Sequence, residues 1–451
     1  MKRIALLLTL LLVVSLIFSS CQVLWLVVEP KDADDLWNRI DEVMTKEASG
    51  RIDATMKMNF TYEGFEVEAE SQLLLVMIGT DESEDFYYYQ KDETVMEMAG
   101  SKIETEQYLV YDEGKAYVSE KSDNKTSRIY SSLTPKEFYD YAMDEATDFN
   151  VTPDGAGVKE MSRYDGKKWE LEFSNFEKDA LDRIIEQLKL DSFEESMGIV
   201  ISDVAVTITT DEKYRVDKMS VNFISESYDE PVISLDMTWS QHDSAKKVYI
   251  DEREYTEVDD VRVAKWVDNY LDEVIDRERV DFSLYIDQKV MKGSATYSSY
   301  VERDEVTFKN KNDKFTYDIS AELGGQEYDI EYAFGTQTVR IYGQTQQRTD
   351  QTENEARSFI KSLMNSAQFS PSLVTDISEI STNRYRIYLQ PADVSEYRQL
   401  MLNLSDTYQS SDIFIEVVLD GEEVNSIETY IKINGISYTC VIETDMVILG
   451  D

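Results

Sequence analysis

The sequence is poor in the residues on which familiar enzyme and metal sites depend. It contains one histidine, two cysteines, six prolines and 17 glycines among 451 residues. The single histidine, His242, excludes a multi-histidine metal site and a zinc-protease helix. The sequence also lacks the glycine-rich loops that hold phosphate in dinucleotide-binding proteins and P-loop NTPases. We therefore expect no enzyme, no cofactor and no metal centre.

Positive charge is scarce as well. The chain has 45 Lys and Arg residues against 90 Asp and Glu residues, which gives a net charge of −45. Because this field repels phosphate, we expect no nucleic-acid partner. A hydrophobic content of 42%, with 11% aromatic residues, is nevertheless too high for a disordered acidic chain. The length predicts two or three domains, each able to bury a core of its own.

The N-terminal residues have the pattern of an export signal. Two basic residues precede the apolar stretch 4–18, and small residues then lead to Cys21. The pattern predicts a signal peptide over 1–20, lipidation of Cys21, and an apolar tether over 21–30. Such a chain would be lipid-anchored at the extracytoplasmic face of the cell membrane, with the membrane as a partner.

Two alternatives to the lipid anchor stay open. The apolar stretch continues past the cysteine, and residues 4–28 are together long enough to span a bilayer as an uncleaved signal anchor. Simple secretion is the other alternative, and in each case the bulk of the chain is exported. If Cys21 carries lipid, Cys440 has no partner for a disulfide within the chain. Its position in a strand predicts a buried, inert thiol.

The rest of the chain repeats one order of elements. Each copy is predicted to run through a helix, about six strands, a helix, two strands, a helix and three strands. The strand at Ile52 in the first copy corresponds to the strand at Val280 in the second. We predict one domain over 31–250, an acidic linker over 251–258, and a second domain of the same kind over 259–451.

Alternation of apolar and polar residues defines the fold class that we expect. Most strands alternate at period two, which is typical of antiparallel sheets with one buried face. Thr134 and Glu137 have the spacing of a capping box at the start of a helix. We predict an α+β fold of two tandem open half-barrels, each a long curled antiparallel sheet covered by two or three helices.

This arrangement resembles the LolA/LppX-like family of bacterial envelope lipoproteins. The residues that carry the resemblance are the lipobox-like segment ending at Cys21, the leading helix, the antiparallel meander and the late helices. The chain looks closest to duplicated members of Gram-positive bacteria, and the resemblance covers nearly the whole mature chain. It implies a hydrophobic cavity for acyl chains between the concave face of the sheet and a helical lid. It also implies transport of lipids or lipoproteins, or sensing of them.

Flexible methionines and aromatic residues at core-facing positions are the candidates for lining such a cavity. They are Met56, Met58, Met77, Met96, Met98, Phe138 and Tyr141 in the first copy, and Phe282, Leu284, Phe359 and Leu363 in the second. The same residues also fit an ordinary packed core. The sequence alone does not distinguish between the two.

Two functions therefore stay open, with a third behind them. The first is an exported, membrane-tethered, non-catalytic lipoprotein that binds lipid or another hydrophobic ligand. The alternative is a structural or regulatory interaction module of the cell envelope, with filled cores and protein partners. Hydrolysis by a pair of carboxylates is the third, because a chain with 90 acids contains many such pairs by chance.

Overall fold

The chain folds mainly as β-structure. The structure is a computed structural model, and it describes residues 29–44, 49–62, 65–80, 83, 85–98, 100–122, 124–143, 152–164, 167–187, 190, 199–242, 244–311, 314–323 and 325–450. Strands hold 57% of these residues and helices 19%. The predicted signal peptide over 1–20, the lipidation site Cys21 and nearly all of the tether over 21–30 lie outside this part of the chain.

The helices are short. In the described residues they are α1 (Ala33–Met44), α2 (Pro135–Met143), α3 (Lys178–Gln187), α4 (Arg262–Glu273), α5 (Glu353–Met364) and α6 (Ser395–Asn403). None of these helices has both the length and the apolar composition needed to span a bilayer. The predicted capping box of α2 is confirmed, because the Thr134 backbone N–H donates to Glu137 at 2.8 Å and the Glu137 N–H donates to the Thr134 hydroxyl at 3.2 Å.

The strands are longer and far more numerous. Those of the described residues are β1 (Ser49–Tyr62), β2 (Phe65–Ile78), β3 (Tyr87–Met98), β4 (Ser101–Asp112), β5 (Lys115–Ser122), β6 (Lys125–Ser132), β7 (Ala156–Tyr164), β8 (Lys168–Phe176), β9 (Asp203–Thr210), β10 (Val216–Ile224), β11 (Ile233–Ser240), β12 (Thr256–Glu257), β13 (Arg279–Lys292), β14 (Ala295–Asn310), β15 (Phe315–Leu323), β16 (Gln326–Ala333), β17 (Thr336–Ile341), β18 (Gln344–Arg348), β19 (Val374–Ser381), β20 (Arg384–Leu389), β21 (Tyr408–Asp420), β22 (Glu423–Gly435) and β23 (Thr439–Gly450). The predicted order of helices and strands within each copy is confirmed, and β12 is an additional short strand.

The strands form two large sheets built on one plan. The first sheet has twelve strands in the order β12-β6-β5-β4-β3-β2-β1-β11-β10-β9-β8-β7, and the second has eleven in the order β18-β17-β16-β15-β14-β13-β23-β22-β21-β20-β19. In each sheet, the strand that follows the first helix of the copy pairs with the next strand and also with the last strand of that copy. Thus β1 pairs with both β2 and β11, and β13 pairs with both β14 and β23.

The chain divides into two compact units. The first contains Met1–Asn124 and Ser132–Arg253, and the second contains Lys125–Ser131 and Glu254–Asp451. Within the second unit, β12 pairs in parallel with β6, so that Thr256 lies opposite Ile129. A seven-residue segment from the first half of the chain therefore belongs to the second unit.

The predicted fold class is wrong. The fold is mainly β, with two large open sheets in the described residues, and not an α+β pair of helix-covered half-barrels. The reason is one of size. A helix of twelve residues is about 18 Å long, whereas twelve strands spaced by about 4.8 Å make a sheet about 53 Å wide. Three such helices in each copy cover only part of a sheet of this width.

Each sheet has one apolar face and one polar face, as the alternation predicts. In the first sheet Met56 and Met58 are buried, and Lys57 between them is exposed. In the second sheet Phe282 and Leu284 are buried in the same way. We call the face that carries Met56 or Leu284 the inner face of its sheet, and the opposite one the outer face. The core of each unit lies on its inner face.

Candidate functional site

The predicted cavity methionines of the first unit lie together on the inner face. Met58 is opposite Ala69 of β2, which is in turn opposite Met96 of β3. Met56, Met58 and Met96 are all buried, with 0%, 2% and 4% of their surface exposed. Met98 follows on β3, where its backbone pairs with Val67. Met56, Met58 and Met96 thus form a buried stripe on the inner face across β1 to β3.

Met77 and the residues of helix α2 lie at a different place on this face. Met77 is buried at the end of β2, opposite Tyr88. The ring of Phe138 is fully buried and lies 4.8 Å from the ring of Tyr111 and 5.3 Å from that of Tyr88. Tyr141 is half-buried, with its ring 6.4 Å from Phe138. Helix α2 thus inserts an aromatic side chain into a filled cluster.

A small polar cluster interrupts the apolar inner face of the first sheet. Ser71, opposite Met56, donates a hydrogen bond of 2.8 Å to Asp92 Oδ1. Thr94 is within 3.3 Å of the same carboxylate oxygen and 3.1 Å of the Ser71 hydroxyl. All three side chains are at least 95% buried. Hydroxyl donors therefore compensate the cost of placing an acid in this core.

In the second unit the predicted residues lie beside another buried acid. Leu284 is directly opposite Asp304 of β14, and Phe282 is opposite Val306. Phe359 of α5 is half-buried, and its ring lies 5.7 Å from that of Tyr317 on β15. Leu363, one turn further along α5, is also half-buried.

The buried acid is part of a cluster of two carboxylates and two tyrosines. Glu302 lies two residues before Asp304 on the inner face, and its carboxylate accepts hydrogen bonds from the hydroxyls of Tyr300 and Tyr328. Asp304 is 95% buried. Its Oδ1 atom has no hydrogen-bond partner among the described residues. The two acids thus differ, because one has two donors and the other leaves a buried oxygen unsatisfied.

Burial changes the protonation of this cluster. Two effects raise the pKa of Asp304 to about 7: burial is the larger, and the negative charge of Glu302 is the smaller. Burial and the hydrogen bond to Glu302 also raise the pKa of Tyr328 well above its ordinary value. Near neutral pH the Asp304 carboxyl therefore exchanges between its neutral and ionised forms, while the tyrosines remain protonated donors.

A field of half-buried apolar side chains surrounds the acids. Its members are Ile286, Leu323, Ile330, Val339 and Ile341. Ile286 and Leu323 flank Glu302 in one cross-strand row. Ile341 lies in the row that contains Asp304 and Tyr328. We call these five residues the apolar field of the second unit. In the first unit the positions that correspond to Ile286 and Leu323 are the buried Met58 and Met96.

A surface pocket lies elsewhere. It has a volume of about 290 Å³ and is lined by Glu70, Gln72, Glu93, Thr94, Val95, Glu104, Thr105, Glu106 and Lys121. Most of these residues are on the outer face of the first sheet, where Lys91 pairs with Glu93 at 2.7 Å and Lys102 with Glu104 at 2.7 Å. None of the predicted cavity residues lines this pocket, and its acids have lysine partners. We interpret this pocket as a depression in the charged outer face.

Sequence reasoning missed Asp304 and its neighbours, although the signal was present. Glu302 and Asp304 have the same parity along β14 as the buried Val306 and Phe308. An acid at a core-facing position is exceptional. The prediction assigned acids in strands to the solvent face and so passed over these two.

The remaining candidates have structural roles. Cys440 is buried and free, as predicted, and burial raises the pKa of its thiol. Its sulfur accepts a long hydrogen bond of 3.7 Å from Gln288. The described residues contain no group of three or more His, Cys, Asp or Glu side chains arranged to hold a metal ion.

Comparison with known proteins does not assign the chain to a family. No family model matches it, and no curated protein matches it. The resemblance to LolA/LppX-like lipoproteins therefore stays a prediction.

Three solved structures show distant likeness. A DUF1329 family protein from Desulfovibrio piger is 13% identical over 50% of this chain and 97% of its own, with a TM-score of 0.17. A putative AttH from Nitrosomonas europaea is 6% identical over 88% and 92%, with a TM-score of 0.14. Transferrin binding protein B from Neisseria meningitidis is 6% identical over 89% and 76%, with a TM-score of 0.15. TM-scores this low carry no argument about fold or function.

Proposed function

We propose that this chain is an exported, membrane-tethered and non-catalytic protein of the cell envelope that binds a lipid or another hydrophobic ligand. The export signal and Cys21 support the location. The ligand site is the inner face of the second unit. Leu284, directly opposite Asp304, lies beneath it, and Phe359 of α5 packs near Tyr317 on the same face.

The apolar field is the observation that carries this proposal. Its side chains remain half-buried, whereas Leu284, Ile319 and Ala321 on the same face are buried. Leaving a contiguous set of apolar side chains in contact with water costs about 25 cal/mol for each Å². Large exposed apolar patches on proteins mark sites that bind a ligand, another protein or a membrane. A flexible acyl or alkyl chain is the kind of ligand that would cover residues from three or more neighbouring strands.

The first unit favours the second candidate function, a structural or regulatory interaction module. Its stripe of Met56, Met58 and Met96 is buried, and Phe138 fills the aromatic cluster at the other end of the face. A filled core offers no room for a ligand. We therefore propose that the units divide the work, with ligand binding in the second and contact with envelope proteins through the first.

Extraction of bound lipid tests the ligand site. The full chain, purified without added lipid, is extracted with organic solvent and the extract is analysed by mass spectrometry. We expect a hydrophobic ligand to copurify with the native chain. We expect Ile330→Lys, which places a charge in the apolar field, to reduce its amount at least five-fold because a lysine there must be desolvated by the ligand.

The matched control is Leu449→Lys, which makes the same change at a residue that is 62% exposed on β23. This control should retain the ligand. A native chain that carries no ligand, or equal loss in both variants, would contradict the site and leave the filled-core function as the better account.

A further inference from the structure

In the described part of the second unit, the buried Asp304 and the half-buried Glu302 form no ion pair with a cation. Asp304 is 95% buried with an unsatisfied oxygen, and Glu302 is two residues away on the same face. Among the described residues, the ion pair formed from this part of β14 joins Arg303 to Glu322 on the outer face, and no ion pair reaches Glu302 or Asp304. A buried carboxyl without a cation is costly and is retained at sites that need one.

The acids also lie within the apolar field. Leu284 and Ala321 are the cross-strand neighbours of Asp304, and Ile286 and Leu323 are those of Glu302. The two carboxylates thus have apolar side chains as their cross-strand neighbours on β13 and β15. A ligand that satisfies both features has a positive head and a hydrocarbon tail.

We propose that the inner face of the second unit binds amphiphiles with a protonated amine head group. The ammonium group, with three N–H donors, would lie between the carboxylates of Asp304 and Glu302, and the alkyl tail would cover the apolar field. This inference rests on the proposed function and names its ligand class. The net charge of −45 adds to it, because the field of the chain concentrates cations near its surface.

Other head groups fit less well. A carboxylate would lie against Glu302, whose charge the hydroxyls of Tyr300 and Tyr328 stabilise. A neutral hydroxyl head would leave both acids without a counter-charge. The amine is the head group that gains from each of the four polar side chains in the cluster.

Binding of an amine should depend on pH. The groups that face Asp304 are Glu302 and Tyr300 on its own strand and Tyr328 on β16, while β13 and β15 contribute the apolar Leu284 and Ala321. Since the pKa of Asp304 is about 7 in the free protein, and the ammonium group prefers the ionised form, affinity should rise from pH 5.5 to pH 8. At pH 7 binding should release about half a proton for each ligand.

Isothermal titration calorimetry with three probes of equal chain length tests this proposal. Dodecylamine, dodecanol and dodecanoate are titrated into the purified full chain at pH 8, each below its critical micelle concentration. We expect dodecylamine to bind about ten-fold or more tightly than either of the others. We expect Asp304→Asn to lose that advantage. Asp318→Asn, which removes the same charge from an exposed position on β15, should keep it within about two-fold.

The outcomes separate the inference from the function on which it rests. Tighter binding of dodecanol or dodecanoate would overturn the amine head group and leave hydrophobic-ligand binding intact. No binding of any probe to the native chain would contradict both. Equal amine affinity in native chain and Asp304→Asn would place the amine on the general acidic surface and overturn the inference. Proton release at pH 7, measured in two buffers of different ionisation enthalpy, is a second readout on the native chain, and its absence would also overturn it.

Discussion

Two acids are buried on the inner faces by different means. Asp92 in the first unit accepts hydrogen bonds from Ser71 and Thr94, so the surrounding hydroxyls replace the water that it has lost. Asp304 in the second unit lies opposite Leu284 and Ala321, which offer no donors. Asp92 thus has hydroxyl donors among its neighbours in the core, whereas Asp304 has none among its cross-strand neighbours, a deficit that a ligand would relieve.

Asp304→Asn should stabilise the protein at alkaline pH and have little effect in acid. The pKa of Asp304 in the folded protein, about 7, lies above the ordinary value of 3.8. The native state therefore holds its proton more tightly than the unfolded state, and stability falls as pH rises from about 4 through 7. We expect the variant to be more stable than the native chain by about 1 to 3 kcal/mol at pH 8, and nearly equal to it at pH 4.

Urea unfolding at the two pH values measures this difference. The other acids contribute equally to the pH dependence of stability in the native chain and in the variant, so their contributions cancel. Asp318→Asn, at an exposed position, should show no such dependence on pH. A variant that is less stable than the native chain at pH 8 would mean that Asp304 has a partner that stabilises its ionised form.

At the scale of elements, helices α2 and α5 occupy equivalent places in the repeat but bury different side chains, Phe138 in α2 and Ala356, Ile360 and Met364 in α5. Phe138 of α2 is fully buried among aromatic rings. Phe359 of α5 lies seven residues after the N-cap Thr352, whereas Phe138 lies four residues after Thr134; its side chain is half-buried, with its ring 5.7 Å from that of Tyr317. Both helices begin with a capping box, so the difference lies in packing and not in how the helices start.

Truncation of Phe138 and Phe359 tests whether the core of the first unit is more fully packed than that of the second. Phe138→Ala should cost about 3 to 5 kcal/mol of unfolding free energy, the usual range for a fully buried aromatic side chain. Phe359→Ala should cost about 1 to 2 kcal/mol, because less of its surface is removed from water. Denaturant unfolding of the full chain, monitored for each unit by a local probe, gives both values. Equal costs would contradict the division between a filled first unit and a partly open second unit.

At the scale of the whole molecule, the acids are distributed and not concentrated in a tail. On β2, Glu66 and Glu68 are exposed on the outer face, while Val67 and Ala69 between and beside them are buried. The acids of this strand thus lie on the polar outer face of the first sheet and contribute to the net charge of −45. A net charge of this size favours solubility of the chain and repels anionic surfaces, so attachment to a membrane requires an anchor of another kind.

Metabolic labelling with palmitate tests that anchor. If Cys21 is acylated, the native chain takes up label and Cys21→Ala does not. Cys440→Ala is the matched control, because it removes the other cysteine, which is buried in β23 and inaccessible to modification. Loss of label in Cys440→Ala, or no label in the native chain, would count against lipidation and favour the signal anchor or secretion.

Much of the fold could be predicted from alternation alone. The period of two along β1 and β13 placed Met56 and Leu284 on the inner faces, and the repeat gave the order of the elements. The fold class was missed because the sequence pattern identifies helices without showing how little of a wide sheet they cover. Asp304 was missed because a pattern based on average preferences assigns acids to solvent. Whether Phe359 is buried or half-exposed depends on how a helix lies on its sheet, which alternation does not encode.

Strand β6 determines where the chain can be cut into fragments that each contain a whole unit. Because Lys125–Ser131 belongs to the second unit, the shortest continuous fragment that contains all of that unit begins at Lys125 and includes most of the first copy's later half. Gene duplication by itself would leave two copies that can be expressed apart. Here a cut at the predicted linker would remove Lys125–Ser131 from the second unit, so the two units are not two consecutive fragments of the chain.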